Sequence, residues 1–195
     1  MTRLALIRHG ATAWNAEGRI QGRADIALSP AGIAELQALR PPAPLDGAVW
    51  LTSPLRRARQ TAEILNGGAA VEDRLIETHW GAWEGLATAI THPRAERLAE
   101  PGRTGLDFRP PGGESPRDVQ ERLHCLFAEL ATRGGSFVGV THKGVIRAAL
   151  SLAIGWDMET KPPVKLRWRA AHLFDLGPGG TIMLRGASVL LEPRP

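Results

Sequence analysis

The chain has 195 residues, of which 43% are hydrophobic and 23% are charged, so its composition is that of an ordinary globular protein. Its single cysteine excludes an intramolecular disulfide and a zinc site built on several thiolates. The net charge is only +4, and the basic residues are scattered, which argues against a nucleic-acid partner. Nearly all of the cations are arginines, whose forked guanidinium suits small oxyanions.

The sequence carries no sign of a membrane or export signal. No apolar run approaches the roughly 20 residues that a membrane helix needs, and the run at 4–7 is too short for a signal-peptide core. We therefore expect a cytoplasmic protein without a membrane partner. A chain of this length is typical of a single domain, so we expect one domain that spans residues 1–195. The oligomeric state is left open, with a homodimer among the candidates.

Predicted strands and helices alternate along the chain. Each of three Ser-Pro pairs predicts a helix start, with the serine as the cap and the proline in the first turn. The predicted helices cover 30–39, 54–65, 116–132 and 144–154. The predicted strands cover 4–7, 48–52 and 137–141, with weaker candidates at 165–168, 171–176 and 181–184. This alternation predicts an α/β fold, a three-layer α/β/α sandwich with a mostly parallel central sheet. The Pro-, Gly- and Arg-rich stretch 86–114 is predicted to be a short insertion or lid over one end of the sheet.

Two of the predicted strands end in a histidine that is followed closely by glycine. His9 follows the first strand, and His142 follows the third. Ligands of open α/β sheets bind beyond the carboxyl ends of the strands, so both imidazoles are expected at a ligand site. Arg8 adds a permanent cation, Asn15 adds a neutral donor, and Gly10 would let a ligand approach the backbone. Either histidine alone would more often be a packed or surface residue.

Two further constellations have chemical potential. The helix predicted from residue 54 carries Arg56, Arg57 and Arg59 near its start, where unpaired N–H groups and the helix dipole favour anions. Three solvated arginines on one helix face explain the spacing equally well. Glu77 precedes the tryptophans of 80–83 and is a candidate general acid, because desolvation favours a protonated carboxyl. The alternative is a surface glutamate beside a structural tryptophan.

Taken together, these motifs resemble the histidine phosphatase superfamily. The resemblance covers about residues 3–155 and follows the family's order: Arg8-His9-Gly10 with Asn15, Ser-x-Leu-x-Arg-Ala-x-Gln-Thr-Ala at 53–62, Glu77 ahead of Gly81-x-Trp83-Glu84-Gly85, Pro111-Gly112-Gly113-Glu114-Ser115, and Thr141-His142. Each motif is short, and the specificity lies in the order of all five. The resemblance implies a phosphoglycerate mutase-like fold and a reaction that uses neither metal nor cofactor.

The resemblance also implies roles for single residues. His9 resembles the nucleophile that becomes a phosphohistidine, and Glu77 resembles the proton donor to the leaving oxygen and then the base that activates water. Arg8, Arg57 and His142 resemble the groups that grip the phosphate oxygens, and their charge should keep His9 neutral. The further positions expected near the substrate are Gly10, Asn15, Gln21, Gly22, Lys143 and Gly144.

The sequence departs from the family pattern at two positions. Ala11 stands where an acidic residue is usual, and Lys143 stands where a small or polar residue is common. Lys143 is either a cation at the mouth of the site that biases substrate choice or a solvated lysine at a helix start. No metal site is expected, because no acidic or histidine cluster has ligand spacing. Four histidines lie outside the motifs and are expected to be structural or at the surface: His79, His92, His124 and His172. Cys125 is expected in the core.

The short insertion and the 111–115 motif are similar to those of phosphatase members, such as α-ribazole phosphatases and broad-specificity phosphatases. We therefore expect a phosphoric monoester hydrolase of the histidine acid phosphatase type, acting on a small phosphorylated metabolite. A 2,3-bisphosphoglycerate-dependent phosphoglycerate mutase is the alternative. A catalytically idle module that binds phosphate-bearing ligands is the alternative from another class, although all five core positions are present. Four arginines of the insertion point weakly to an anionic or extended substrate: Arg94, Arg97, Arg103 and Arg109.

Overall fold

A computed structural model describes residues 1–88 and 104–194. The main sheet is built from β1 (Thr2–Arg8), β3 (Val49–Thr52), β4 (Ala70–Val71), β5 (Ser136–Thr141), β6 (Ala170–Leu176) and β7 (Ile182–Leu190). A separate two-stranded sheet pairs β2 (Leu39–Arg40) with β8 (Glu192–Pro193). The helices are α1 (Ala13–Ala16), α2 (Pro30–Gln37), α3 (Arg56–Asn66), α4 (Pro116–Arg133) and α5 (Lys143–Ile154). No helix of the described residues is both long and apolar enough to span a bilayer.

The order of the strands places the ends of β1, β3 and β5 side by side. The strand order is β4-β3-β5-β1-β6-β7; β4, β3, β5 and β1 pair in parallel, and β6 pairs antiparallel with both β1 and β7. The register pairs Arg8 with Thr141, the last residues of β1 and β5. The side chains that follow these strands therefore meet at one edge of the sheet, as the carboxyl-end rule predicts.

Helices cover both faces of the sheet. Successive side chains of a strand point to opposite faces. Leu4 and Leu6 of β1 belong to a buried cluster with α4 and α5, and Ala5 and Ile7 belong to a second cluster with α2 and α3. The predicted three-layer α/β fold with a mostly parallel sheet is confirmed.

Two of the three predicted serine caps are present, and the third is absent. Ser29 accepts a hydrogen bond from the Gly32 N–H, and Ser115 accepts one from the Asp118 N–H. The prediction that Ser53 caps a helix starting at residue 54 is wrong, because α3 begins at Arg56. The Ser53 N–H still donates to the Val140 carbonyl of β5, so the chain remains extended there.

Other predictions from local pattern also differ from the structure. No strand forms at 165–168, where the Arg167 N–H and the Lys165 carbonyl bond to the Ser188 hydroxyl in place of a strand partner. Strand β7 is longer than predicted and continues to Leu190. Cys125 is exposed, because the buried face of α4 passes through Leu123 and Leu126 and leaves residue 125 outside. Residues 89–103 of the predicted insertion lie outside the described residues.

Candidate active site

A cavity of about 500 Å³ opens beyond the ends of the parallel strands. The structure brings most of the predicted site residues together in its lining: Arg8, His9, Asn15, Gln21, Gly22, Arg57, Glu77, Lys143 and Gly144. Of the remaining two, His142 lies behind His9, with 5.1 Å between the ring centroids. Gly10 lines a neighbouring cavity of about 200 Å³ that also touches Arg8 and His9.

His9 is held as a neutral imidazole. Its backbone N–H donates to the Thr141 carbonyl at 2.9 Å, which fixes the residue at the end of β1. Its Nδ1 lies 2.7 Å from the Gly10 carbonyl oxygen, and since a carbonyl only accepts, Nδ1 carries the proton and Nε2 keeps its lone pair. Burial first, and then the charges of Arg8 and Arg57, hold the pKa of His9 well below its ordinary value. This agrees with the predicted neutral state.

His142 is fully buried and occupies the cap position of α5. Its Nδ1 accepts a hydrogen bond from Arg57 Nε at 3.3 Å, so Nε2 carries the proton and donates to Ser53 Oγ at 2.7 Å. Burial, followed by the neighbouring His9 and the arginines, lowers the pKa of His142 well below its ordinary value. The contact between His142 and Ser53 was not predicted from the sequence, because a Ser-Pro pair indicates a helix cap.

Arg57 is the buried member of the arginine cluster, whereas Arg56 and Arg59 are exposed. Its two terminal nitrogens donate to the Ala24 carbonyl at 2.8 Å and to the Gly22 carbonyl at 2.7 Å. Burial lowers the pKa of Arg57, and Glu77 opposes that effect. The guanidinium is therefore fixed in place before any ligand arrives, which favours strong electrostatic action on an anion.

Gly22 has a structural requirement of its own. Its φ of +52° lies in the left-handed region, and a side chain there would collide with the Glu84 carboxylate. Glu84 in turn accepts hydrogen bonds from the N–H groups of Arg23 at 2.9 Å and Trp80 at 3.1 Å. The Gly-x-Trp-Glu-Gly motif thus holds the loop that fixes Arg57.

Arg8 supplies a second cation at the end of β1. Its guanidinium carbon lies 5.3 Å from the centroid of the Trp168 ring, a cation–π contact. Its Nε is buried and has no hydrogen-bond partner among the described residues. Burial lowers the pKa of Arg8, against the raising effect of Glu77. Arg8 therefore has an unused donor beside His9, which suits binding of an oxyanion.

Glu77 lies against the start of α5. Its side chain accepts hydrogen bonds from the Thr78 N–H at 2.9 Å and the Gly144 N–H at 3.4 Å. A Cβ at position 144 would lie only 2.5 Å from Glu77 Oε1, so the glycine makes room for the carboxylate. The position of Glu77 in the cavity therefore depends on the absence of a side chain at residue 144.

A second carboxylate supports the loop that carries Glu77. Glu114 accepts from Arg23 Nη2 at 2.7 Å and lies 3.6 Å from Arg122 Nη2. Arg23 Nε donates to the Glu77 carbonyl at 3.4 Å, and Arg122 Nη2 donates to the Ile76 carbonyl at 2.7 Å. Glu114 thus connects two arginines that hold the backbone of 76–77. This explains the 111–115 motif, to which the sequence analysis had given no structural role.

Three expected substrate contacts differ in how they could act. The Asn15 carboxamide oxygen accepts from the Thr12 N–H at 3.0 Å, so its NH₂ group is the part left to donate. Gln21 Oε1 is buried without a partner within the described part of the chain. At Gly10, a Cβ would lie 2.6 Å from Leu36 Cδ1, so this glycine permits packing of α2. The glycine thus has a packing requirement, and its predicted role in ligand approach stays a prediction.

The outer wall of the cavity was only partly foreseen from the sequence, which placed the tryptophans of 80–83 near Glu77. It contains four aromatic residues and two further cations: Trp14, Trp80, Trp83, Phe108, Arg19 and Arg147. The signal that could have found Arg147 is its spacing, four residues after Lys143 on a predicted helix. The aromatic residues come from three separate segments, which only the tertiary fold brings together.

The histidines outside the motifs are placed as follows. His124 is exposed, His172 is fully buried, and His79 is partly exposed with Nε2 3.8 Å from Glu84 Oε1. His92 lies outside the described residues. Within residues 1–88 and 104–194, no group of three or more His, Cys, Asp or Glu side chains is arranged to hold a metal ion.

The structure brings the paired histidines, the buried arginine and the carboxylate together beyond the ends of the parallel strands. The chain belongs to the histidine phosphatase superfamily (branch 1), whose sequence profile matches residues 4–185. It is 35% identical over 177 residues to a glucosyl-3-phosphoglycerate phosphatase of Mycolicibacterium vanbaalenii, covering 82% of this chain and 77% of the relative.

Two further comparisons span nearly the whole chain. A 2,3-bisphosphoglycerate-dependent phosphoglycerate mutase 2 of Gloeobacter violaceus is 30% identical over 213 residues, covering 100% of this chain and 96% of the relative. The structure of a mycobacterial glucosyl-3-phosphoglycerate phosphatase in complex with VO3 superposes with a TM-score of 0.77 at 27% identity, covering 96% of this chain and 98% of that chain.

Proposed function

We propose that the chain is a phosphoric monoester hydrolase that acts on a small phosphorylated metabolite through a phosphohistidine on His9. One observation carries the proposal: a neutral imidazole, with Nδ1–H bound to the Gly10 carbonyl, keeps the Nε2 lone pair in a cavity that also contains Arg8 and Arg57. A nucleophile must be unprotonated, and a phosphoryl group needs positive charge around its oxygens. The named phosphatase activity of the Mycolicibacterium relative supports hydrolysis.

In the first half-reaction, Arg8 and Arg57 bind the phosphate oxygens next to His9. The Nε2 lone pair attacks phosphorus, the bond from phosphorus to the ester oxygen breaks, and the electron pair goes to the leaving oxygen. Glu77, in its protonated form, donates its proton to that oxygen. The transition state is loose, with charge spread over the equatorial oxygens, so fixed cations carry most of the catalysis.

In the second half-reaction, the Glu77 carboxylate takes a proton from water while the water oxygen attacks phosphorus. The bond from phosphorus to Nε2 breaks, its electron pair returns to His9, and phosphate leaves. Glu77 is again protonated and His9 is again neutral, so the cycle closes. No metal takes part in either half-reaction of this proposal, because the guanidinium groups supply the positive charge.

The tests use p-nitrophenyl phosphate in the presence of EDTA. We expect equal amounts of p-nitrophenol and phosphate, and loss of turnover in His9→Ala. His124→Ala is the matched control, because His124 is an exposed histidine on α4 outside the cavity. Substantial turnover by His9→Ala, or loss of wild-type turnover on chelation, would contradict the proposed mechanism. Vanadate, which adopts a bipyramidal geometry like the transition state, should inhibit.

The mutase remains a second candidate because the Gloeobacter relative is named for that activity and covers the whole chain. Assays with 3-phosphoglycerate, with and without 2,3-bisphosphoglycerate, separate the two reactions. Release of phosphate supports hydrolysis, and isomerisation faster than phosphate release would support the mutase.

The proposal also covers the domain organisation, the cellular location and the catalytic competence of the chain. We propose that residues 1–195 act as one domain with the stretch 86–114 as its lid, and that the enzyme works in the cytoplasm on a small molecule. It is proposed to be active, as opposed to an idle binding module, because the nucleophile and the acid both line the cavity. Turnover of any phosphomonoester by the wild type, lost in His9→Ala, would exclude the idle module.

A further inference from the structure

Two cations on α5 line the cavity, and the proposed mechanism uses neither of them. Lys143 and Arg147 lie one helical turn apart, and both border the space that contains His9. The Cα–Cβ bonds of a helix tilt toward its N-terminus, so the longer Arg147 side chain leans back toward the Lys143 end. Arg147 Nε is buried without a hydrogen-bond partner in the described part of the chain.

The charges around the cavity do not balance. Among the described residues, the lining has one carboxylate, Glu77, and five cations: Arg8, Arg19, Arg57, Lys143 and Arg147. Arg19 is paired with Glu17 at 2.7 Å, and the proposed function assigns Arg8 and Arg57 to the phosphate. Lys143 and Arg147 form no ion pair within residues 1–88 and 104–194 and therefore retain their charge for another anion.

Placing these two cations side by side raises the free energy of the protein when no anion is bound. Like charges four residues apart on a helix repel each other. Burial lowers the pKa of Arg147, and burial followed by repulsion from Arg147 lowers the pKa of Lys143. A bound anion between the two cations would relieve both effects.

Aromatic rings fix the positions of the two cations without neutralising them. Lys143 Nζ lies 5.8 Å from the centroid of the Trp168 ring, which also faces Arg8. The Arg147 guanidinium carbon lies 5.2 Å from the Trp156 ring centroid. A cation–π contact orients a cation but carries no compensating negative charge.

We propose that Lys143 and Arg147 form a second anion subsite, and that the preferred substrates are phosphomonoesters whose leaving group carries a further anionic group, a carboxylate or a second phosphate. This inference rests on the proposed function and names the substrate class of that site. Under this proposal Lys143 is a substrate contact, and the solvated lysine is the alternative that the experiment tests.

The test compares substrates that differ in one charge. 4-Carboxyphenyl phosphate and 4-carbamoylphenyl phosphate have the same shape, and 1,4-phenylene bisphosphate replaces the carboxylate with a second phosphate. We expect the wild type to have a higher kcat/KM for the charged substrates than for the carbamoyl one. Lys143→Gln and Arg147→Gln should each reduce this preference by about tenfold, mainly through KM. The charged substrate whose kcat/KM falls more identifies the anion that the subsite favours.

Two variants act as controls for charge. Arg147→Lys keeps the positive charge and should keep most of the preference. Arg59→Gln removes the same charge at an exposed position of α3 outside the cavity and should leave the preference unchanged. If Arg147→Gln does not fold, as judged by its thermal melt, Lys143→Gln carries the test, because Lys143 is the less buried of the two residues.

The outcomes separate this inference from the proposed function. A preference that stays within about twofold of the wild-type value in both glutamine variants would overturn the second anion subsite. p-Nitrophenyl phosphate has no second anion, so both variants should lose less of their kcat/KM for it than for the charged substrates. Failure of the wild type to hydrolyse any of these esters would instead refute the phosphatase itself.

Discussion

Replacing Gly144 with alanine would test how closely the proposed reaction depends on the position of Glu77. The new Cβ would lie 2.5 Å from Glu77 Oε1, whereas ordinary van der Waals contact starts at 3.4 Å. The new Cβ would also collide with Thr78 Oγ1, so both side chains have to move; a shift of the carboxylate by about 1 Å would break its bond from the Gly144 N–H. A displacement of about 1 Å in a catalytic group costs on the order of 10²-fold in rate.

The assay compares kcat/KM for phenyl phosphate and 2,4-dinitrophenyl phosphate. Phenoxide leaves poorly without a proton, whereas dinitrophenolate leaves without one, and kcat/KM reports only the steps through the first phosphoryl transfer. We expect Gly144→Ala to lower kcat/KM for phenyl phosphate by about 10²-fold and that for the dinitrophenyl ester by less than about tenfold. Gly186→Ala is the matched control, because the nearest atom to its new Cβ lies 3.9 Å away.

Two results would refute this reasoning. One is a folded Gly144→Ala enzyme with unchanged kcat/KM for phenyl phosphate. The other is an equal loss for both esters, which would mean that the substitution impairs phosphate binding and leaves proton donation untouched.

Further predictions concern the supports of the site and the stability of the fold. Ser53→Ala removes the acceptor of the buried His142 Nε2–H and should lower the free energy of unfolding by about 1–3 kcal/mol in urea denaturation; an unchanged midpoint would contradict the bond. Glu114→Gln weakens the support of 76–77 and should reduce kcat for p-nitrophenyl phosphate by about tenfold, with kcat unchanged if the support is dispensable. Burial lowers the pKa of His172 from 6.5 to about 4, so the unfolded chain binds more protons in that window. The contribution of His172 to the free energy of unfolding is fully present above pH 6.5 and is lost as the pH falls toward 4. At pH 5 the loss is about 2 kcal/mol. His172→Asn should abolish that share of the pH dependence, and an identical profile would refute it.

The sheet and the meeting of the two histidines could be predicted because both follow from local signals. A short apolar run predicts a strand, and parallel strands end at one edge, so His9 and His142 had to be neighbours once β1 and β5 were adjacent. The choice of Arg57 over Arg56 and Arg59 came from the family resemblance, since spacing left all three open. The structure separates them by burial, which depends on the loop at 22–24 and not on the helix itself.

The features that were missed depend on contacts between distant segments. Ser53 has the same local pattern as Ser29 and Ser115, and only its position opposite β5 turns its hydroxyl toward His142. Glu114 gains its role from two arginines that are 91 and 8 residues away along the chain. Whether Lys143 is a solvated lysine or a substrate contact depends on which negative charges lie near it in the folded chain. A sequence pattern does not contain that information.

The bond from the His9 N–H to the Thr141 carbonyl ties the position of the proposed nucleophile to the hydrogen-bond ladder between β1 and β5. A slip of one residue between these strands would turn every following side chain to the opposite face, so His9 and His142 could no longer meet. A partly unfolded form in which β1 and β5 separate is therefore expected to lose turnover. Enzymatic turnover during denaturation would report directly on the integrity of the central ladder.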